Sequence, residues 1–210
     1  MTPIPTLAAL AEAVRSTEPV RVAVAAAESD TALEAVAEAA RRGIARAVLV
    51  GDRVALAARL RGRGADPASF ELVDAPDDAA AARRAVALVR SGEAAVLMKG
   101  RLATGALLHA ALDREHGLRT GRLLSDVAIL DHPRAPAPRL LGITDGGVNV
   151  APTLAQKREI LLNAVAVFRA LGVERPKVAP LCAAETPTDA MPATRDAEAL
   201  AAMAAAGELE

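Results

Sequence analysis

Aromatic residues are nearly absent from this 210-residue chain: it has no Trp and no Tyr, and only Phe70 and Phe168 carry rings. Apolar residues still make up 52% of it, so the core must be built from Ala, Val and Leu. Small aliphatic side chains let helices approach a sheet closely, which suits layered parallel α/β structure. Cysteine is limited to Cys182, which excludes an internal disulfide. Together with His109, His116 and His132 it offers no metal-ligand spacing and no HExxH motif. Neither sign of charge is in excess: 25 basic and 26 acidic residues leave a formal net charge of −1. That balance, with no long run of one sign, weighs against the basic face a general grip on nucleic acid needs, although a local phosphate site stays compatible with it. No apolar run reaches the length of a membrane span. The N-terminal MTPIPTLAALAEAVRS carries Glu12 and lacks a basic flank ahead of its apolar stretch, unlike a signal peptide. The expectation is a cytoplasmic protein that binds neither nucleic acid nor membrane.

Strand-like apolar runs alternate with amphipathic helical runs. Strands are expected at 20–27, 45–50, 70–74 and 94–98. Ser29 or Asp30 caps the first intervening helix, with Thr31 and Glu34 as a capping box, and Gly43 ends it. A short helix runs to about Gly64. Asp77 and Asp78 open the next, which closes at Gly92. Thr104 reads as the N-cap of a helix through about Glu115. This alternation implies a parallel sheet with helices on both faces, a three-layer α/β/α fold. Further strands are expected at 127–131 and 139–144, separated by the proline-rich HPRAPAP. Thr153 and Gln156 form a capping box ahead of a helix ending at Gly172. A strand at 177–182, limited by Pro180, and a helix at about 194–206 complete the series. We expect an N-terminal α/β domain over 1–135 and a partial second α/β domain over 136–210. With one strand–helix–strand unit and one more helix, the second domain reads as C-terminally truncated.

Ligands of open α/β sheets bind beyond the carboxyl ends of the strands, which selects four segments. In the first, Lys99, Gly100 and Thr104 follow a strand and precede a helix, where backbone N–H groups and a lysine could hold a phosphate. The spacing is not that of a Walker A loop, and an ordinary turn with a surface lysine is the alternative. The second, ITDGGVNVAP, carries Asp145, Asn149 and Pro152, with Gly146 and Gly147 permitting close backbone approach or positive φ. Either the segment lines a cleft, or Asp145 and Asn149 satisfy local backbone groups. The third holds Cys182 and Glu185; a lone cysteine is commonly a small core hydrophobe. The fourth holds Arg119 with Ser125 shortly after, an anion-binding candidate or a solvated loop arginine. No GxGxxG follows the first strand, which weighs against a nicotinamide enzyme.

The strings LMKGRLAT at 97–104, GLRTGRLLSDV at 117–127, ITDGGVNVAP at 143–152, KREILLNAV at 157–165, PKVAPLCAAE at 176–185 and MPATRDAEALAAM at 191–203, in that order, resemble the phosphate acetyl/butyryltransferase family. The likeness is greatest to its butyryltransferases. The resemblance implies a two-domain α/β/α architecture like that of isocitrate and isopropylmalate dehydrogenases, usually a homodimer. The implied reaction moves a short acyl group, butyryl or acetyl, between CoA and inorganic phosphate. CoA is a substrate, and no tightly bound cofactor or metal is implied. By motif match, Lys99, Gly100 and Thr104 stand at the phosphate side of a cleft. Arg119 and Ser125 would stand close by, Asp145, Asn149 and Pro152 would shape the cleft, and Cys182 and Glu185 would lie opposite. No catalytic base is assigned.

Three departures accompany the resemblance. His109 stands where the family usually has arginine, so it is taken as a substrate-binding position with a weaker anion ligand. Asp126 stands where relatives often have histidine. The family's C-terminal portion, with a serine–arginine motif, has no counterpart here. These departures favour an alternative reading, a non-catalytic protein that binds CoA or acyl phosphate. Another is the acyltransferase portion of a larger hydratase-acyltransferase.

Overall fold

The computed structural model describes residues 2–209, which group into two compact units: Ala11–Gly121, and Met1–Leu10 together with Arg122–Glu210. The change of unit falls at residues 121 and 122, earlier in the chain than the expected 135. The strand that begins at Ala128 pairs with Leu140–Ile143, and the 122–125 segment bonds to the helix beginning at Leu154. Both segments are therefore tied to the C-terminal part of the chain.

In the Ala11–Gly121 unit, β1 (Val20–Ala25), β2 (Ala45–Gly51), β3 (Glu71–Asp74) and β4 (Val96–Lys99) form a parallel sheet in the order β3-β2-β1-β4. A first helix, α1 (Leu7–Arg15), precedes it; α2 (Asp30–Arg41), α3 (Arg53–Gly62), α4 (Asp78–Arg90) and α5 (Thr104–Ala111) follow successive strands. The register places Val24 beside Leu49 and Met98, and Leu49 beside Leu72. Period-2 alternation then sorts the core into two layers. Val22, Val24 and Leu49 pack on Ala32, Leu33 and Val36 of α2 and on Leu56 and Leu60 of α3. Ala23, Ala25, Val48 and Val50 pack on Ala81, Ala82 and Ala85 of α4 and on Leu107 of α5. The second layer is mostly alanine, so α4 lies close against β1.

Side-chain oxygens close the starts of most helices. Ser29 accepts from the Ala32 N–H at 3.4 Å, Asp52 from Val54 and Ala55 at 2.8 and 3.0 Å, and Asp77 from Ala80 at 2.7 Å. The expected Thr31–Glu34 box is replaced by Ser29, because Asp30 and Thr31 are already helical. Thr104 is likewise helical rather than the cap: Ala103 holds that position and contributes no side-chain bond. That helix stops at Ala111, short of Glu115, because Asp113 accepts from the Glu115 and His116 N–H groups and Leu118 N–H returns to the Ala111 carbonyl.

In the other unit β5 (Ala128–Asp131) and β6 (Leu140–Ile143) form an antiparallel hairpin, followed by α6 (Leu154–Ala170) and α7 (Pro192–Ala205). Gly142 leaves room for the Phe168 ring of α6, which a Cβ would strike. The Thr153–Gln156 capping box forms as expected, with bonds of 2.9 and 3.3 Å. Lys157 of α6 and Asp196 of α7 pair at 2.6 Å. The expected strand at 177–182 is absent. That segment is irregular, Pro176 and Pro180 donate no ladder bond, and no strand among the described residues runs alongside it. No helix among the described residues is long and apolar enough to cross a membrane.

β1 and β4 continue their ladder beyond the ends of both strands. Gly100 N–H donates to the Ala25 carbonyl and Arg101 N–H to that of Ala26, each at 2.8 Å. A Cβ on Gly100 would overlap the Ala26 carbonyl oxygen, a backbone atom that cannot rotate away. Gly100→Ala is therefore expected to destabilise this unit by about 1–3 kcal/mol, read as a lower urea midpoint with an unchanged m-value.

Candidate functional site

The β1/β4 junction of the order β3-β2-β1-β4 has the character of a topological switch point: α2, which follows β1, packs on one face of the sheet and α5, which follows β4, on the other. Crevices at such points take ligands at the carboxyl ends of the strands. Ala26, immediately beyond β1, has φ +51°, a left-handed conformation that costs a non-glycine residue about 1–2 kcal/mol. It is held there by the Arg101 N–H bond to its carbonyl and by Ala27 N–H donating to Val50 O at 3.0 Å.

Two cations stand at this junction and differ in what surrounds them. Arg101 Nη2 is 2.6 Å from Asp78 Oδ1, and its Nε is 3.5 Å from Glu28 Oε2. These groups meet as charges rather than through aligned hydrogen bonds. Lys99 Nζ donates only to the carbonyls of Leu102 at 3.2 Å and Gly100 at 3.5 Å. Its side chain is exposed and its charge is matched by no carboxylate among the described residues. Just beyond, α5 begins without a side-chain cap: the Ala106 and Leu107 N–H groups bond to the Ala103 carbonyl, and no side chain takes up the N–H groups of Thr104 and Gly105. Lys99, Gly100 and Thr104 thus share the turn between β4 and α5, in which the Gly100 and Arg101 N–H groups are already bonded to Ala25 and Ala26.

His109 is exposed in the last turn of α5, and Arg119 lies just past Leu118, which bonds back to Ala111. Both thus sit toward the carboxyl end of a helix about 12 Å long, away from the Lys99 turn. Arg119 lines a surface depression of about 440 Å³ with Arg90, Arg114, Asp113 and Glu115.

In the other unit, Asp145 and Asn149 share one hydrogen-bond network with the 124–126 segment, while Ser125 is bonded instead to Asn163 of α6. Asp145 Oδ1 accepts from the N–H groups of Gly147 at 3.0 Å and Val148 at 2.8 Å. Asn149 Nδ2 donates to Asp145 Oδ2 at 2.5 Å and to the Leu124 carbonyl at 2.9 Å. Asp126 Oδ1 accepts from Gly146 N–H at 2.7 Å, while Thr144 Oγ1 donates to the Asp126 carbonyl at 2.6 Å. The 144–149 loop thus spends its own N–H groups on nearby carboxylates, and it is a fixed wall rather than an anion nest. Neither Gly146 nor Gly147 has positive φ; Gly146 is instead placed close to the Asp126 carboxylate, which a Cβ would meet at 3.1 Å. Asn163 of α6 donates to Ser125 Oγ and to the Leu123 carbonyl, both at 2.9 Å, leaving the Ser125 hydroxyl proton free to point elsewhere. Pro152 is half-buried just before the Thr153 cap. Cys182 is half-buried and Glu185 exposed in the irregular stretch before α7. None of these residues lines a cavity of about 660 Å³ in this unit, which is walled by Leu161, Val165, Val178 and Leu200 with Arg169 and Arg175.

Sequence reasoning missed Glu28, Arg101 and Asn163 as contributors. Glycines at strand ends, Gly51 and Gly100, were the available signal that something approaches closely there. Among the described residues no cluster of three or more His, Cys, Asp or Glu could hold a metal ion.

Desolvation pushes the Asp145 carboxyl up, but the hydrogen bonds it accepts from Asn149 and from the Gly147 and Val148 N–H groups outweigh it. They hold the carboxyl well below the usual aspartate range. A carboxyl lowered by folding stabilises fully above the unfolded aspartate pKa of about 3.9, and that contribution is lost as pH falls below it. Asp145→Asn is expected to cost about 1–3 kcal/mol at neutral pH and to flatten the loss of stability below about pH 4, measured by urea unfolding across pH.

The model of the Phosphate acetyl/butaryl transferase family matches residues 6–83 and 78–210. The chain is 42% identical over 197 residues to a phosphate butyryltransferase of Clostridium acetobutylicum, covering 94% of this chain and 65% of that protein. It is 38% identical over 200 residues to a phosphate acetyltransferase of Rhizobium meliloti, covering 95% and 63% respectively. It thus spans just under two thirds of the length of these relatives. Among solved structures, a branched-chain phosphotransacylase from Enterococcus faecalis superposes with a TM-score of 0.72 at 32% identity, covering 87% of this chain and 63% of that one. A phosphotransacetylase from Streptococcus pyogenes shares the fold, with a TM-score of 0.73 at 15% identity, covering 93% of this chain and 69% of that one. With the family's pattern running from residue 6 to residue 210, this chain belongs to the phosphate acetyl/butaryl transferase family.

Proposed function

We propose that this protein is a phosphate acyltransferase that moves a short acyl group, butyryl or acetyl, between CoA and inorganic phosphate. We place it in the cytoplasm as a homodimer, with no tightly bound cofactor. The observation that carries the reading is the uncompensated Lys99 charge beside the uncapped start of α5, at the switch point of the sheet. An acyl phosphate carries its charge on the phosphoryl oxygens. A lysine with open N–H donors holds those oxygens and stabilises the charge that grows on phosphate as it leaves.

The reaction needs no covalent enzyme intermediate. The CoA thiolate attacks the acyl carbonyl, the tetrahedral intermediate collapses, and the C–O bond to phosphate breaks with its electron pair leaving on phosphate. The protein's contribution is to orient two anionic substrates and to favour the charge of the departing group. Lys99, Gly100 and Thr104 take the phosphate end, and Ser125, Asp145, Asn149 and Pro152 are assigned as substrate-lining positions on a preformed wall. Arg119, His109, Cys182 and Glu185 are placed as substrate-lining positions on the strength of motif match alone.

The test is thioester formation by the purified chain from CoA and butyryl or acetyl phosphate, followed at the thioester absorbance. We expect turnover, with Lys99→Ala lowering kcat/KM for the acyl phosphate on the order of a hundredfold. A folded wild-type protein that binds CoA without turnover would support the non-catalytic binding alternative instead. Turnover untouched by Lys99→Ala would remove Lys99 from the phosphate site.

A further inference from the structure

Glu28 is the charged residue that nothing in the proposed chemistry uses. It is 8% exposed, and its carboxylate lies over the Cα of Gly51, where any side chain would collide with it. Oε1 accepts the Asp52 N–H at 2.6 Å, while Oε2 has no hydrogen-bond partner among the described residues and faces Arg101 Nε at 3.5 Å. Burying a carboxylate is costly unless a charge compensates it, and Arg101 is that charge. Arg101 also pairs with Asp78, the first residue of α4.

These contacts join all four turns at the carboxyl edge of the sheet. Glu28 lies in the turn after β1, Asp52 after β2, Asp78 after β3 and Arg101 after β4. The Arg101 backbone is fixed by its N–H bond to Ala26, and Gly100 by its bond to Ala25. The Arg101 backbone is thus anchored to Ala26, and its guanidinium is held at two points, Glu28 and Asp78.

We infer that Glu28 is a positioning residue that acts through Arg101: the pair holds the 99–104 turn in the conformation that presents Lys99 and the open end of α5. With both carboxylates engaged, the Arg101 charge is spent within the protein, and Lys99 is left as the cation for an incoming anion. The inference rests on the proposed function only in naming acyl phosphate as that anion.

The experiment uses the whole chain as wild type, Glu28→Gln, Arg101→Gln and the double variant. In Glu28→Gln the amide oxygen keeps an acceptor for the Asp52 N–H, and the charge facing Arg101 is removed. Amide hydrogen exchange reads the turn directly, and steady-state kinetics with acetyl phosphate and CoA reads its consequence. For Glu28→Gln we expect exchange at 100–104 to rise about tenfold, with β1 and β2 amides unchanged. The KM for acetyl phosphate should rise about tenfold, with kcat and the KM for CoA within about twofold. The double variant should recover the thermal stability that Arg101→Gln loses without recovering the KM, a coupling that a purely structural role would not give. Unchanged exchange at 100–104 overturns the inference, as does a parallel shift of both KM values and kcat with stability. If Glu28→Gln does not fold, Asp78→Asn loosens the same guanidinium from its half-exposed side and should move exchange and KM in the same direction. A wild type that neither turns over nor binds inorganic phosphate would sink the functional reading, and the exchange measurement would still decide the role of Glu28.

Discussion

At the junction of β1 and β4 two backbones run closer than any side chain permits. Gly100 donates to Ala25, Arg101 donates to Ala26, and the Ala26 carbonyl fills the space a Cβ on residue 100 would need. Ala26 adopts a left-handed conformation at the same point. This contact extends the ladder past the strands and fixes where the next turn begins. The direction of α5, the reach of Lys99 and the placement of Arg101 over Glu28 all depend on it. A second close approach, Glu28 over Gly51, ties β2 into the same cluster. Two glycines at strand ends thus let four turns be joined where a ligand of an open sheet would bind.

Carboxylates serve as structural acceptors in both units. Glu28 and Asp78 hold Arg101 in one. In the other, Asp126 and Asp145 take up the N–H groups of Gly146, Gly147 and Val148, and Asn149 locks Asp145 to the Leu124 carbonyl. Hydrogen bonds to a charged acceptor are worth more than neutral ones, and a desolvated acceptor left without them would be costly. Asp126, a departure from the family resemblance, has its Oδ1 committed to the Gly146 N–H and belongs to the loop's own architecture. Lys99 contrasts with all of these: it touches only neutral carbonyls and keeps its charge available.

Local pattern made the sheet legible. Apolar runs bounded by Gly43, Gly64 and Gly92 mark where helices end, and Ser29, Asp52 and Asp77 cap helices through short-range bonds that depend on a few neighbouring residues. The Thr153–Gln156 box is legible for the same reason. The 177–182 segment is the counterexample. Its composition suits a strand, but a strand exists only by pairing, and no neighbour in the described structure offers a ladder. The helix expected through Glu115 stops early because the Asp113 side chain caps a turn against it, a competition that propensity alone does not resolve.

The amino-acid sequence by itself determined the α/β class, most element positions, the aliphatic core and the family, because each rests on periodicity, caps or ordered motifs that are local in the chain. It also placed Lys99, Gly100 and Thr104 on one strand–helix turn, since residues of such a turn are neighbours by connectivity. What only the tertiary structure decided was which charges are spent and which are free. Glu28 and Arg101 stand three strands of sequence apart, and Asp126 and Asn163 reach their partners across 20 and 38 residues. Ion pairing and burial depend on the distances that folding creates, and nothing in the local pattern of either residue encodes them.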